Sequence, residues 1–208
     1  MKVFIDNVIA HRYINFKSNK KEPSTVAILG SSRGNDSIMK YMNLSSDVAK
    51  SIVLSGHNVI HGCGQCGIMG AVYDSAAKYS KKDESGRPKQ NLAIVKEPLW
   101  GDEDLENCVV VGKAKSEAQR IEMFSDKADS IVIFPGSAAT IQEAATLISK
   151  NNYSPKEDRK KIILVGHDYF SGLIRQYQDI YKNGLLSDKP QNLFSVVDSK
   201  DEILKELN

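Results

Sequence analysis

The chain has 208 residues, enough for one α/β domain with a sizeable core or for two small domains; 41% hydrophobic and 26% charged residues are usual for a soluble globular protein. A formal net charge of +2 gives neither nucleic acid nor an anionic membrane surface an electrostatic hold, and the basic clusters FKSNKKEP and KKDESGRPKQ carry acidic residues among them, as solvated loops do. No apolar run approaches the roughly 20 residues of a membrane span, and MKVFIDNVIAHRYINF, with its early Asp6, lacks a signal peptide's continuous apolar centre; a cytoplasmic protein whose three cysteines are thiols is expected.

Residues 1–24 read as an N-terminal extension ending in the polar SNKKEPS, with a strand or a short helix within 3–16. From residue 25 to the end, one domain repeats a unit of short apolar strand, turn and helix. TVAIL (25–29) is a strand, followed by the turn GSSRG. SSDVAKSIVLSG (45–56) is a helix with Ser45 or Ser46 as N-cap and Gly56 past its end. NVIHG (58–62) is a strand, GCGQCG a turn and IMGAVYDSAAKYS (68–80) a helix. NLAIV (91–95) and CVVVG (108–112) are strands. KSEAQRIEMFSDKA (115–128) carries a helical stripe of Ala118, Ile121, Phe124 and Ala128. SIVIF (130–134), IILVG (162–166) and LFSVV (193–197) complete the strands, with helices at about 138–151, 169–183 and 200–207. The strands are rich in Ile and Val and apolar on both faces, as a sheet covered on both sides requires. The predicted fold is α/β: a Rossmann-like, doubly wound, mainly parallel sheet with helices on both faces. Such folds bind ligands beyond the carboxyl ends of their strands, which directs attention to the turns there.

The turn Gly30-Ser31-Ser32-Arg33-Gly34 offers two hydroxyls, backbone amides and a guanidinium to an oxygen-rich ligand; it reads equally as a polar turn with no ligand. Gly62, Gly64 and Gly67, with Met69 just beyond, have the G-x-G-x-x-G spacing of a dinucleotide fingerprint between strand and helix. The next strand lacks the acidic residue a nicotinamide site would place at its end, so the turn reads as close backbone approach without commitment to a dinucleotide. Cys63 and Cys66 form a CxxC beside His61. A metal would need about four ligands in one place, which the scattered histidines and Cys108 do not supply, and small side chains tolerated in a tight turn explain the cysteines better than a redox pair.

FPGSAATIQEA (134–144) reads as a phosphate loop: strand, sharp turn, helix start. Gly136, Ser137, Ala138, Ala139 and Thr140 span a helix end whose free amides and dipole suit a phosphate. Glu143 lies one turn along the same face as Thr140 and leans back toward the loop. A carboxylate there would repel phosphate, but would suit sugar hydroxyls or a developing cation; otherwise it is a surface glutamate near a helix start. Arg120, on the preceding helix, reads either as a solvated partner of Glu117 or as a guanidinium at the cleft edge.

Taken together, GCGQCGIMG, Arg120, PGSAATIQE and GSSRG resemble the LOG family, often labelled lysine decarboxylase-like, over roughly residues 25–198, with 23 residues from Arg120 to Glu143 as in the family arrangement. The resemblance implies hydrolysis of the N-glycosidic bond of an AMP-like nucleoside 5′-monophosphate, of purine or N6-modified adenine type, to free base and ribose 5-phosphate. It implies Arg120 and Glu143 as catalytic residues, with Gly30, Ser31, Ser32, Gly64, Gly67, Met69 and 136–140 holding the substrate. It implies a homodimer with the site near its interface, and a reaction needing neither metal nor cofactor. Glu143 would stabilise the oxocarbenium-like charge on the ribose, and the loop would anchor the 5′-phosphate. Cys63, Ser137 and Ala139 stand where the family has glycine, and Ile121 where it commonly has lysine. A second reading is a carrier or sensor that holds a nucleotide or cofactor on the same fold without cleaving it. A lysine decarboxylase finds no residue marking a pyridoxal phosphate site, in a chain short for that chemistry. Segment 96–107, with Trp100, is expected to cover the base.

Overall fold

The computed structural model describes residues 23–99, 101, 103 and 105–208. The expected element in 3–16 and Trp100 lie outside them. Seven strands pair in parallel in the order β4-β3-β2-β1-β5-β6-β7: β1 Thr25–Leu29, β2 Asn58–His61, β3 Asn91–Lys96, β4 Val109–Ala114, β5 Ser130–Ile133, β6 Lys161–Val165 and β7 Ser195–Val197. This is the doubly wound arrangement expected.

Alternation along β1 explains the layers. Val26 and Ile28 face one core with Val48, Ile52, Ile68, Val72 and Ile203, from helices α1 (Met39–Leu54), α2 (Gly67–Tyr79) and α6 (Lys200–Leu207). Ala27 and Leu29 face the other with Phe124, Leu147, Ile148 and Phe170, from α3 (Glu117–Lys127), α4 (Ala138–Tyr153) and α5 (His167–Lys182). With both faces covered, the strands have no polar side to show, hence their unbroken apolar runs.

The start of α1 departs from expectation. A 3₁₀ turn, Asp36–Ile38, precedes the helix, and the Asn35 side chain accepts from the Ile38 amide at 3.2 Å, so the cap lies ten residues before Ser45. Tyr41, Met42 and Leu44 pack on the core and extend the apolar face upstream. Ser45 is buried inside the helix, its hydroxyl donating to the Met42 carbonyl at 2.9 Å, the local back-bond that lets a serine sit mid-helix. Ser46 lends its carbonyl to the Ser75 hydroxyl at 2.7 Å, tying α1 to α2.

Strand order reverses between β1 and β5. There the Phe134 amide donates to the Leu29 carbonyl at 2.8 Å and the Ser31 amide to the Pro135 carbonyl at 3.1 Å. The sequence-predicted turns after these two strands therefore meet at the switch point, where this architecture opens a crevice.

Candidate active site

Three turns build the crevice. After β1, Ser31 binds Pro135 through its amide and accepts from the Met69 amide at 3.2 Å, so the first, second and last turns are joined at this residue. The Ser31 hydroxyl folds back on its own turn, donating to the Arg33 carbonyl at 2.9 Å and accepting from the Arg33 amide at 3.0 Å. Gly30 packs against Ile68 and Phe134, and Gly67, at φ +62, turns the chain into α2 beside the Ser31 and Arg33 carbonyls.

Ser32, Gly62, Gly64, Met69, Lys96, Glu103 and Arg120 line a cleft over the ends of β2 and β3. Arg120 stands on α3, whose start is fixed by the Ser116 side chain accepting from the Gln119 amide. Its side chain is 14% exposed, and its guanidinium occupies the space a Cβ on Gly62 would need. Nη2 donates to the Gly62 carbonyl at 3.3 Å, and Nη1 meets Glu117 at 3.5 Å. Nε is buried, with no hydrogen-bond partner among the described residues. The other Glu117 oxygen holds Lys96 Nζ at 3.0 Å. The two sequence readings of Arg120 thus combine: it pairs with Glu117 and stands in the cleft wall.

Glu143, half-buried on α4, is in electrostatic reach of both partners. Burial pushes its carboxyl up to about 7; the Arg120 charge pulls it back and the Glu117 charge adds to the rise. Beneath the cleft, burial pushes fully enclosed His61 down to about 4, with a hydrogen bond to Asn91 opposing and the Arg120 charge assisting. His61 is therefore neutral. Its Nδ1 accepts from the Cys63 amide at 3.0 Å, which leaves the proton on Nε2 for Asn91 Oδ1 at 2.6 Å. This bond supports Cys63 at φ +67, a left-handed conformation that costs a non-glycine residue about 1 kcal/mol. The Cys63 sulfur turns inward, 3.6 Å from that of Cys108, while Cys66 is exposed.

The last turn leads into α4. Ser137 caps the helix, its side chain accepting from the Ala139 amide at 3.3 Å, and Ala138 and Ala139 are exposed in the first turn with negative φ. A methyl group in place of a glycine hydrogen meets no backbone penalty there. Thr140 is buried beneath the turn, with its hydroxyl in the space a Cβ on Gly136 would need. Gly136 also makes contact from its other side: its amide donates to the Tyr169 hydroxyl at 3.3 Å, and that hydroxyl donates to its carbonyl.

The turn residues singled out from the sequence as substrate-binding thus lie at the carboxyl edge of the sheet. Ser32, Gly64, Met69 and Arg120 line the cleft; Gly30, Ser31 and Gly67 shape its floor; 136–140 form the adjoining loop. Lys96 and Glu103 line the cleft and belong to segment 96–107, expected over the base, and Glu117 is the partner expected for Arg120; Tyr169 alone was not foreseen as part of this region. No spacing rule connects Tyr169, near the start of α5, to a glycine 33 residues earlier.

The model of the family described as "Possible lysine decarboxylase" matches residues 69–207. A rice protein (Oryza sativa subsp. japonica) named "Probable cytokinin riboside 5′-monophosphate phosphoribohydrolase LOGL3" is 24% identical over 185 residues, 88% of this chain and 82% of that one. LOG6 of Arabidopsis thaliana, named for the same activity, is 26% identical over 148 residues, 70% of this chain and 68% of that one. Among solved structures, the molybdenum cofactor binding protein of Rippkaea orientalis superposes with a TM-score of 0.59 at 15% identity, covering 89% of this chain and 96% of that one. The molybdenum cofactor carrier protein of Chlamydomonas reinhardtii gives 0.60 at 12%, covering 89% and 98%. At such identities the structural likeness shows the fold alone. The matched family model and the two named relatives make this chain a divergent member of the LOG family, the family labelled lysine decarboxylase-like.

Proposed function

We propose that the protein hydrolyses the N-glycosidic bond of a nucleoside 5′-monophosphate of purine or N6-modified adenine type, releasing the base and ribose 5-phosphate. The observation that carries this reading is the convergence of Arg120 and Glu143 beside the amide-rich start of α4. Loop 136–140 would take the 5′-phosphate, fixing the ribose over the cleft. As the C1′–N bond breaks, its electrons leave with the base and positive charge grows on the ribose. Ionised Glu143 would stabilise that charge and hold the ribose hydroxyls. Water then supplies oxygen to C1′, and a proton ends on the departing nitrogen. Arg120, held by Gly62 and Glu117, has a buried Nε–H left for the ligand or for Glu143. A homodimer in the cytoplasm, with no nucleic-acid or membrane partner, completes the proposal. No helix among the described residues is long and apolar enough to cross a membrane.

A second reading, a carrier that holds a nucleotide-like cofactor without cleaving it, is favoured by one feature. Ile121, at the position where a lysine is expected, is buried in the core and offers the cleft no charge. Of the two structural neighbours, one is a molybdenum cofactor carrier protein and the other a molybdenum cofactor binding protein. Release of free base from a panel of nucleoside 5′-monophosphates separates the readings: phosphate-dependent release supports the hydrolase, and tight binding without release supports the carrier.

A further inference from the structure

We propose that Tyr169 is a phosphate-binding residue of this site, donating its phenolic O–H to the phosphate monoester that enters loop 136–140. The inference rests on the nucleotide reading of the loop and extends it to another element, α5. Tyr169 stands just past the carboxyl end of β6, the neighbour of β5, so the sheet places its ring beside the turn that follows β5. Its hydroxyl spans both polar atoms of the Gly136 peptide unit, accepting from the amide at 3.3 Å and donating to the carbonyl. Tyr169 is 40% exposed, so the residue is open to solvent beside the loop.

The hydrogen-bond capacity of this group decides its role. A phenol has one proton, here given to a neutral carbonyl. A phosphate oxygen bound at the loop is charged and outcompetes that carbonyl for the proton, since charge-assisted hydrogen bonds are about twice as strong. The Gly136 amide, now satisfied by the phenol oxygen, is freed to donate to the same phosphate. Tyr169 thus keeps the loop's polar groups satisfied when empty and contributes a donor when filled. Neighbouring Ser137 does the first of these for the Ala139 amide. Gly136 itself cannot be replaced by a residue whose side chain might serve instead, because Thr140 and the Ser31 amide fill the space of its Cβ.

Titration calorimetry of the full chain with ribose 5-phosphate and with ribose, for wild type and Tyr169→Phe, tests this. The phenylalanine keeps the ring and its packing, and an unchanged thermal midpoint verifies the fold. The expected result is affinity for ribose 5-phosphate lower by about five- to tenfold, with no change for ribose. Equal or tighter binding of ribose 5-phosphate by Tyr169→Phe overturns the role of Tyr169 while leaving the loop reading intact. Failure of wild type to bind ribose 5-phosphate and every nucleoside 5′-monophosphate overturns the loop reading and this inference together.

Discussion

Glu143 carries a cost that Arg120 only partly offsets. Its carboxyl is raised from 4.5 to about 7 because burial penalises the charged form. Between these values the folded protein keeps a proton that the unfolded chain has released, so this residue's contribution to stability falls as pH rises through that window. Glu143→Gln removes the penalty. Its expected effect is a stability gain on the order of 1–3 kcal/mol at about pH 8 and little change near pH 4, read from denaturant titrations at both pH values. Such a strained group is common where chemistry is done. Gly62 matters for the opposite reason: it has no side chain, and Arg120 fills the gap. Gly62→Ala drives the guanidinium out of place. A loss of base-releasing activity of at least tenfold is expected, with the fold retained by circular dichroism; full activity would show that Arg120 need not lie on Gly62.

At the scale of elements, the start of α4 accommodates side chains at positions where the resemblance leads to glycine being expected. Ser137 has φ −84 and caps the helix, so a side chain there gives a hydrogen bond instead of strain. Ser137→Ala should cost about 1 kcal/mol in stability by denaturant titration, whereas Ser137→Gly should cost only a few tenths. Cys63 is the contrasting replacement: it occupies a left-handed position, held by His61. Strand and helix positions were legible in the sequence because the apolar periods of β1, α3 and β5 are strong. The start of α1 was not, because Ser45 has the chemistry of a cap but lies on the buried face, where Met42 takes its hydroxyl. Tyr169, and the pairing of Lys96 with Glu117, were missed because each contact is made through strand order, which no local spacing encodes.

At the scale of the molecule, the reversal of strand order between β1 and β5 gathers turns from distant parts of the chain at one edge. Fold class was legible from alternating strands and helices, and the motifs pointed to turns that the strand order gathers at one edge. What the sequence left open was whether Arg120 pairs with Glu117 or faces the cleft; the sheet makes it do both, and brings Glu143 within reach. The central claim is that this gathering cleaves a nucleotide. The most direct measurement is chromatographic detection of free base from nucleoside 5′-monophosphates, with the matching nucleosides as controls, for wild type and Glu143→Ala. The account predicts release that requires the 5′-phosphate and falls by at least a hundredfold in the variant. Release that ignores the phosphate or survives in Glu143→Ala, or no release from any nucleotide that wild type binds, would contradict it.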